Sequence, residues 1–169
     1  MLGYAPDSDL APRASHLALI ASSGRLERIW IKRFRRGPMD SASDARLVAG
    51  RGIVGNANQG GKRQVTIIAR EAWDAVTREL GHSVAPETRR ANLLVSGVAL
   101  ADTRGHVLRI GACRVRVYGE TKPCWQMEEA HAGLQSALAP DWRGGVFAEV
   151  LDDGYIAIGD RVEWIESER

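Results

Sequence analysis

Apolar positions fall mostly in short runs of strand formers, with strict alternation at 113–118, and only a few stretches take a helical period. Residues 26–32 (Leu-Glu-Arg-Ile-Trp-Ile-Lys) are rich in strand formers and predict a strand, as do residues 63–68 and 89–97. From 107 to 118, Cys113, Val115 and Val117 alternate with Arg114, Arg116 and Tyr118. This predicts one long strand with a bulge at Gly111 and an inward, inert Cys113. Residues 144–151 and 155–158 are joined through Asp152-Asp153-Gly154, the signature of a hairpin, and 161–164 read as a last strand.

The helical period is clearest at 70–80, where Ala72, Trp73, Val76 and Leu80 share a face and Gly81 supplies a stop. Residues 125–139 read as helix with a break at Gly133, and residues 12–22 as a further short helix ended by Gly24. Six or seven short strands with glycine turns and only three helices predict a mainly β fold with helical insertions, a barrel. The expected organisation is a lead-in and short helix over 1–24, then one barrel domain over 25–165.

With 169 residues, 44% of them hydrophobic, the chain can bury a core without metal or disulfide staples. Its 23 basic and 21 acidic residues leave a net charge of +2, which demands no nucleic-acid partner. Two cysteines make no disulfide framework and fit the reducing cytosol. Pro6, Asp7, Asp9 and Pro12 stand where a signal peptide needs an apolar core, and no apolar run reaches membrane-span length, so a cytoplasmic protein is expected. His16, His82, His106 and His131 lie far apart and neither cysteine has a ligand at zinc spacing, so no zinc site is expected.

Three stretches carry candidate binding chemistry. Residues 32–38 (Lys-Arg-Phe-Arg-Arg-Gly-Pro) form the most basic run, either a solvated turn or a clamp for an anion. Residues 46–62 hold Gly50, Gly52, Gly55, Gly60 and Gly61; they read as an irregular loop with polar tips at Asn56, Asn58 and Gln59. The order Gly50-Arg51-Gly52 with Gly55 matches part of a dinucleotide fingerprint, but no βαβ pattern surrounds it. Arg89 and Arg90 stand at the mouth of a predicted strand, followed by Asn92, and suit either bidentate anion recognition or an ordinary salt bridge.

The fourth stretch is Gly119-Glu120-Thr121-Lys122-Pro123-Cys124-Trp125-Gln126-Met127-Glu128. Pro123 reads as a first-turn proline and Cys124 as a residue of that turn, where unpaired N–H groups and Lys122 favour a thiolate. Cys124 is thus either a nucleophile or a small buried cysteine capping the barrel.

The order of these pieces resembles the MOSC family, the domain named for the C-terminal part of molybdenum cofactor sulfurases. The resemblance rests on "GRGIVGNANQGG", "RQVTII", "RRANLLVSGVAL", "LRIGACRVRVYGETKPCWQME" and "GGVFAEVLDDGYIAIGDRVEW", in order over roughly residues 25–165. It implies a closed, mixed β-barrel with a functional cysteine at Cys124. It also implies sulfur-carrier or sulfurtransferase-like work, or binding of the molybdenum cofactor (molybdopterin) with Cys124 as a molybdenum ligand. The pyridoxal phosphate in such chemistry would belong to a partner cysteine desulfurase. Cys124, Lys122 and Glu120 would act on the sulfur. Arg63, Arg89, Arg90, Asn92, Asn56, Asn58 and Thr121 would receive a pterin phosphate or a small anionic sulfur compound. Two departures from the family pattern, Asn56 after Gly55 and Ala91 after Arg90, remove carboxylates and make the expected pocket more cationic. The alternative is an enzyme that cleaves carbon–sulfur bonds with Cys124 as nucleophile and Glu120 and Glu128 as the nearest proton carriers.

Overall fold

The computed structural model describes residues 23–166, so the predicted helix at 12–22 lies outside the described residues. The strands are β1 (Gly24–Lys32), β2 (Met39–Ala42), β3 (Asp44–Val48), β4 (Gly52–Ile53), β5 (Val65–Ala69), β6 (Leu93–Ser96), β7 (Val107–Ile110), β8 (Cys113–Glu120), β9 (Val146–Val150), β10 (Gly154–Ala157) and β11 (Arg161–Ile165). The helices are α1 (Arg70–Leu80), α2 (Trp125–Ala130) and α3 (Leu134–Leu138), with 3-10 turns at Pro86–Arg89 and Pro140–Trp142.

Seven strands close into a ring in the order β1-β11-β7-β8-β9-β5-β6, because β1 pairs with both β6 and β11. Only β5 and β6 run parallel, joined by the crossover that contains α1; the barrel is therefore mixed. β2 extends the sheet beyond β1, and β10-β3-β4 form a separate small sheet.

Two apolar clusters follow from the alternation. Leu26, Ile29, Ile67, Leu93, Leu108, Ile110, Val115 and Val146 fill the barrel, with Cys113 among them. Trp30, Ile68 and Leu94 point the other way, from β1, β5 and β6, and are covered by Trp73, Val76, Met127, Leu134 and Leu138 from the three helices. Each such buried aliphatic side chain contributes about 1.5–3 kcal/mol, so the helices are held to the barrel wall chiefly by this second cluster.

Several local expectations are corrected. β9 and β10 do not form a hairpin: β9 stays in the barrel between β8 and β5, and β10 pairs with β3. The carboxylates of the intervening turn explain why. Asp152 accepts hydrogen bonds from Arg114, and Asp153 Oδ1 accepts one from Ala49 N at 2.8 Å, so the turn bridges two sheets. Gly111 is not a bulge; with φ 56 it opens a two-residue turn that pairs Ile110 with Cys113 and divides the long strand into β7 and β8. Residues 46–62 are not wholly irregular, since they include part of β3 and all of β4. Gln59 Nε2 fastens them by donating to Ile53 O and Asn56 O, at 2.7 and 2.9 Å. Arg89 and Arg90 precede the strand, in a 3-10 turn and its left-handed cap. Gly24 is the first residue of β1.

Candidate functional site

On the outer wall of the barrel, the face that carries Trp30, Ile68 and Leu94 turns polar two residues along each strand, at Lys32, Thr66 and Asn92. All three line one cavity of about 180 Å³ at the edge of the second cluster, with Ala91 and Met127 contributing to both cluster and cavity. Asn56 and Asn58 reach it from the glycine-rich segment, and Arg63 from the start of β5. Arg89 and Arg90 enter from the 3-10 turn, and Thr121, Lys122 and Cys124 from the end of β8. The structure thus brings together most of the residues singled out in the sequence. Glu120 does not line the cavity; it sits half-buried on β8 opposite Val146.

The amide side chains are committed to the frame. Asn92 Oδ1 accepts from Thr66 N and Oγ1 at 3.1 and 3.2 Å, while its Nδ2 donates to Trp30 O and Asn56 Oδ1, both at 3.1 Å. Asn56 Oδ1 also accepts from Lys32 N at 2.9 Å, so Asn56 and Asn92 tie β1, β5 and β6 together beneath the cavity. A buried amide with all of these partners fixes geometry rather than seeking a ligand.

The cations have a different character. Arg89 is only 8% exposed, and its guanidinium donates from Nε to Gly144 O at 3.0 Å and from Nη2 to Thr121 O at 2.9 Å. No carboxylate pairs with it among the described residues. Burial pushes its pKa below the ordinary arginine value, the negative charge of a Cys124 thiolate opposes that, and Arg63 adds to it. Lys32 is likewise lowered, first by burial and then by the charges of Arg90, Arg63 and Arg35. Arg90, held at φ 63, donates to Gly37 O at 2.6 Å, and Arg63 lies over the Phe147 ring at 5.1 Å. With Lys122, five cations line the cavity and no Asp, Glu or His does so among the described residues.

Cys124 is exposed, and its Sγ lies 3.8 Å from Gln126 Oε1. The helix begins later than its sequence suggests: Cys124 is the residue before α2, extended at φ −120 and ψ 178, and Pro123 lies outside the helix. Glu128 faces away to accept from Gly133 N at 2.7 Å and Gln135 N at 3.3 Å, which ties α2 to α3. Cys113, in contrast, is fully buried, and burial pushes its thiol pKa up. Gly144 has no room for a side chain: a Cβ there would run into the Thr121 carbonyl and stand 3.3 Å from Arg89 Nη2. Thr121 is 7% exposed, and its Oγ1 has no hydrogen-bond partner among the described residues.

Sequence reasoning left Thr66, Gln126 and Gly144 out of the candidate site and placed Lys32 only in a general basic run. For Lys32 and Thr66 the signal was strand parity, each standing two residues from a helix-facing apolar partner on the same face.

A closed mixed barrel thus carries an exposed cysteine beside a cationic cavity that no carboxylate lines among the described residues. The MOSC domain matches residues 51–163, more than half of the chain, and the chain belongs to that family. Among solved structures it is similar to the YUAD protein from Bacillus subtilis, with 20% identity, a TM-score of 0.72, and coverage of 83% of this chain and 94% of that one. It is also similar to YiiM from Escherichia coli, with 17% identity, a TM-score of 0.65, and coverage of 85% and 71%. For YiiM from Geobacillus stearothermophilus the values are 15%, 0.66, 85% and 75%. At these identities the likeness speaks for the fold. No curated protein matches the chain. Among the described residues no helix is long and apolar enough to cross a membrane, and no group of three or more His, Cys, Asp or Glu side chains could hold a metal ion.

Proposed function

We propose that this MOSC-domain protein accepts and passes on sulfur, or holds the molybdenum cofactor, through a thiolate at Cys124, in the cytoplasm. The observation that carries the reading is the pairing of an exposed thiol with Lys32, Arg63, Arg89, Arg90 and Lys122 around a cavity that no carboxylate lines among the described residues. A persulfide on Cys124 would keep its terminal sulfur anionic, and the surrounding cations would stabilise that charge. A carrier must both be attacked and release sulfur, which an exposed thiol permits. The donor would be a small anionic sulfur compound or a cysteine desulfurase, with the pyridoxal phosphate on that partner.

The donor set also fits the molybdenum cofactor: Cys124 would be the thiolate ligand to molybdenum, and Arg89, Arg63 and Lys32 would hold the anionic pterin phosphate. The metal would supply redox chemistry when bound. The alternative, carbon–sulfur bond cleavage, needs a proton carrier near the sulfur. Glu120 does not line the cavity and Glu128 is engaged by Gly133 and Gln135, so the arrangement favours sulfur or cofactor handling.

Native mass spectrometry of freshly purified protein beside Cys124→Ser tests this. The expected result is added sulfur or a molybdopterin-sized adduct that disappears in the variant. Equal loading of both proteins, or turnover of a thio-conjugate without either adduct, would overturn it.

A further inference from the structure

We infer that the sulfur donor to Cys124 is a small dianion of the thiosulfate class, its oxyanion end seated on Arg89 and Thr121 and its sulfane sulfur turned to the thiolate. This rests on reading Cys124 as a sulfur acceptor.

Two buried polar groups point to an oxygen-bearing ligand. Arg89 is a buried cation whose observed hydrogen bonds go to two neutral carbonyls, so its positive charge is without a carboxylate among the described residues. A buried, unpaired charge is costly, and an anion in the cavity would relieve it. Thr121 Oγ1 is a buried hydroxyl without a protein partner among the described residues, on the segment that leads to Cys124. Such a group costs stability unless something accepts its hydrogen. Arg89 and Thr121 both line the cavity, and a sulfonate offers oxygens that accept from a guanidinium and from a hydroxyl, whereas a persulfide offers only sulfur.

The transfer also suits a wall that carries no His, Asp or Glu among the described residues. The Cys124 thiolate attacks the sulfane sulfur, and a bond forms between Sγ and that sulfur. The sulfane–sulfonate bond breaks, and its electron pair leaves with the sulfonate sulfur as sulfite dianion. Cys124 is left as a persulfide anion. Total charge is conserved, no proton moves and no outside oxidant is needed. Lys32 and Arg63 stabilise the departing dianion.

The test incubates the reduced full chain with thiosulfate and reads sulfite release together with the mass of the Cys124 peptide; sodium polysulfide serves as a second donor. One sulfite per chain and one added sulfur on Cys124 are expected, both absent in Cys124→Ser. Thr121→Val, which removes no observed hydrogen bond, should need about tenfold more thiosulfate for half-loading. Loading from polysulfide but not from thiosulfate would overturn the donor and leave the carrier reading standing. Loading from neither would overturn both. Equal thiosulfate dependence in Thr121→Val and the parent would overturn the subsite.

Discussion

Arg89 Nη2 donates to the carbonyl oxygen of Thr121 across 2.9 Å, three residues before Cys124. Through this bond the turn that precedes β6 positions the segment that follows β8, although the two are distant in sequence. The same guanidinium donates to Gly144 O just before β9, so one side chain collects three chain segments around the thiol.

Arg89→Lys should therefore fail even though it keeps the charge. A lysine has a single nitrogen where the planar fork reaches Gly144 O and Thr121 O from two, Nε and Nη2, so it cannot keep both bonds in their present geometry. A loss of about 1–3 kcal/mol in urea unfolding is expected, with weaker sulfur loading of Cys124. A variant as stable as the parent would show that the two carbonyls find other partners.

Gly144→Ala tests the same junction by steric means. The added Cβ would meet the Thr121 carbonyl, which is backbone and cannot swing aside as a side chain could. The expected cost is about 1–3 kcal/mol, from overpacking. Because the displaced segment carries Cys124, its alkylation rate should change while that of buried Cys113 does not. Unchanged stability and unchanged alkylation would mean that the segment yields freely.

Asn92 and Asn58 both line the cavity but differ in how much of the frame they hold. Asn92→Ala removes an amide with four hydrogen bonds across three strands and should cost about 2–4 kcal/mol. Asn58 is exposed, and Asn58→Ala should change stability by no more than about 0.5 kcal/mol. Thermal unfolding of both variants decides the matter; an Asn92→Ala protein with parental stability would return Asn92 to the role of ligand-binding residue.

The barrel was legible because strand alternation survives in 113–117 and because β-branched runs mark β5 and the wall strands. The family order of motifs then supplied closure, and with it the grouping of Cys124, Lys122, Arg63, Arg89 and Arg90 in one cavity. What misled were local turn signals read without their long-range partners. Asp152-Asp153-Gly154 has hairpin chemistry, but its carboxylates bind Arg114 and Ala49 N instead of closing β9 on β10. Gly111 was a turn read as a bulge, since composition alone does not say whether a strand continues past a glycine. The sequence offers no sign that Asn92 and the Asn56 oxygen also bond to the frame beneath the cavity, because those partners are distant in sequence.

Cys113 gives the fold an alkaline weakness with a defined sign. Burial raises its thiol pKa above the ordinary 9.0, and the charges of Asp152, Asp160 and Asp153 push the same way. Above pH 9.0 the unfolded chain loses this proton while the folded chain keeps it. The stability tied to the protonated thiol is therefore complete below that pH and is lost as pH climbs through the folded value. Lys32 acts in the opposite sense. Its lowered pKa makes the charged form costly in the fold, and that cost is relieved as pH rises toward 10.5. Both effects are present in the parent, whereas Cys113→Ala keeps only that of Lys32. Urea unfolding of the two proteins over an alkaline series should give curves that diverge above pH 9.0, the parent falling faster by at most about 1.4 kcal/mol per pH unit. Parallel curves would mean that the folded chain ionises Cys113 as readily as the unfolded one, and that burial in the barrel does not hold its proton.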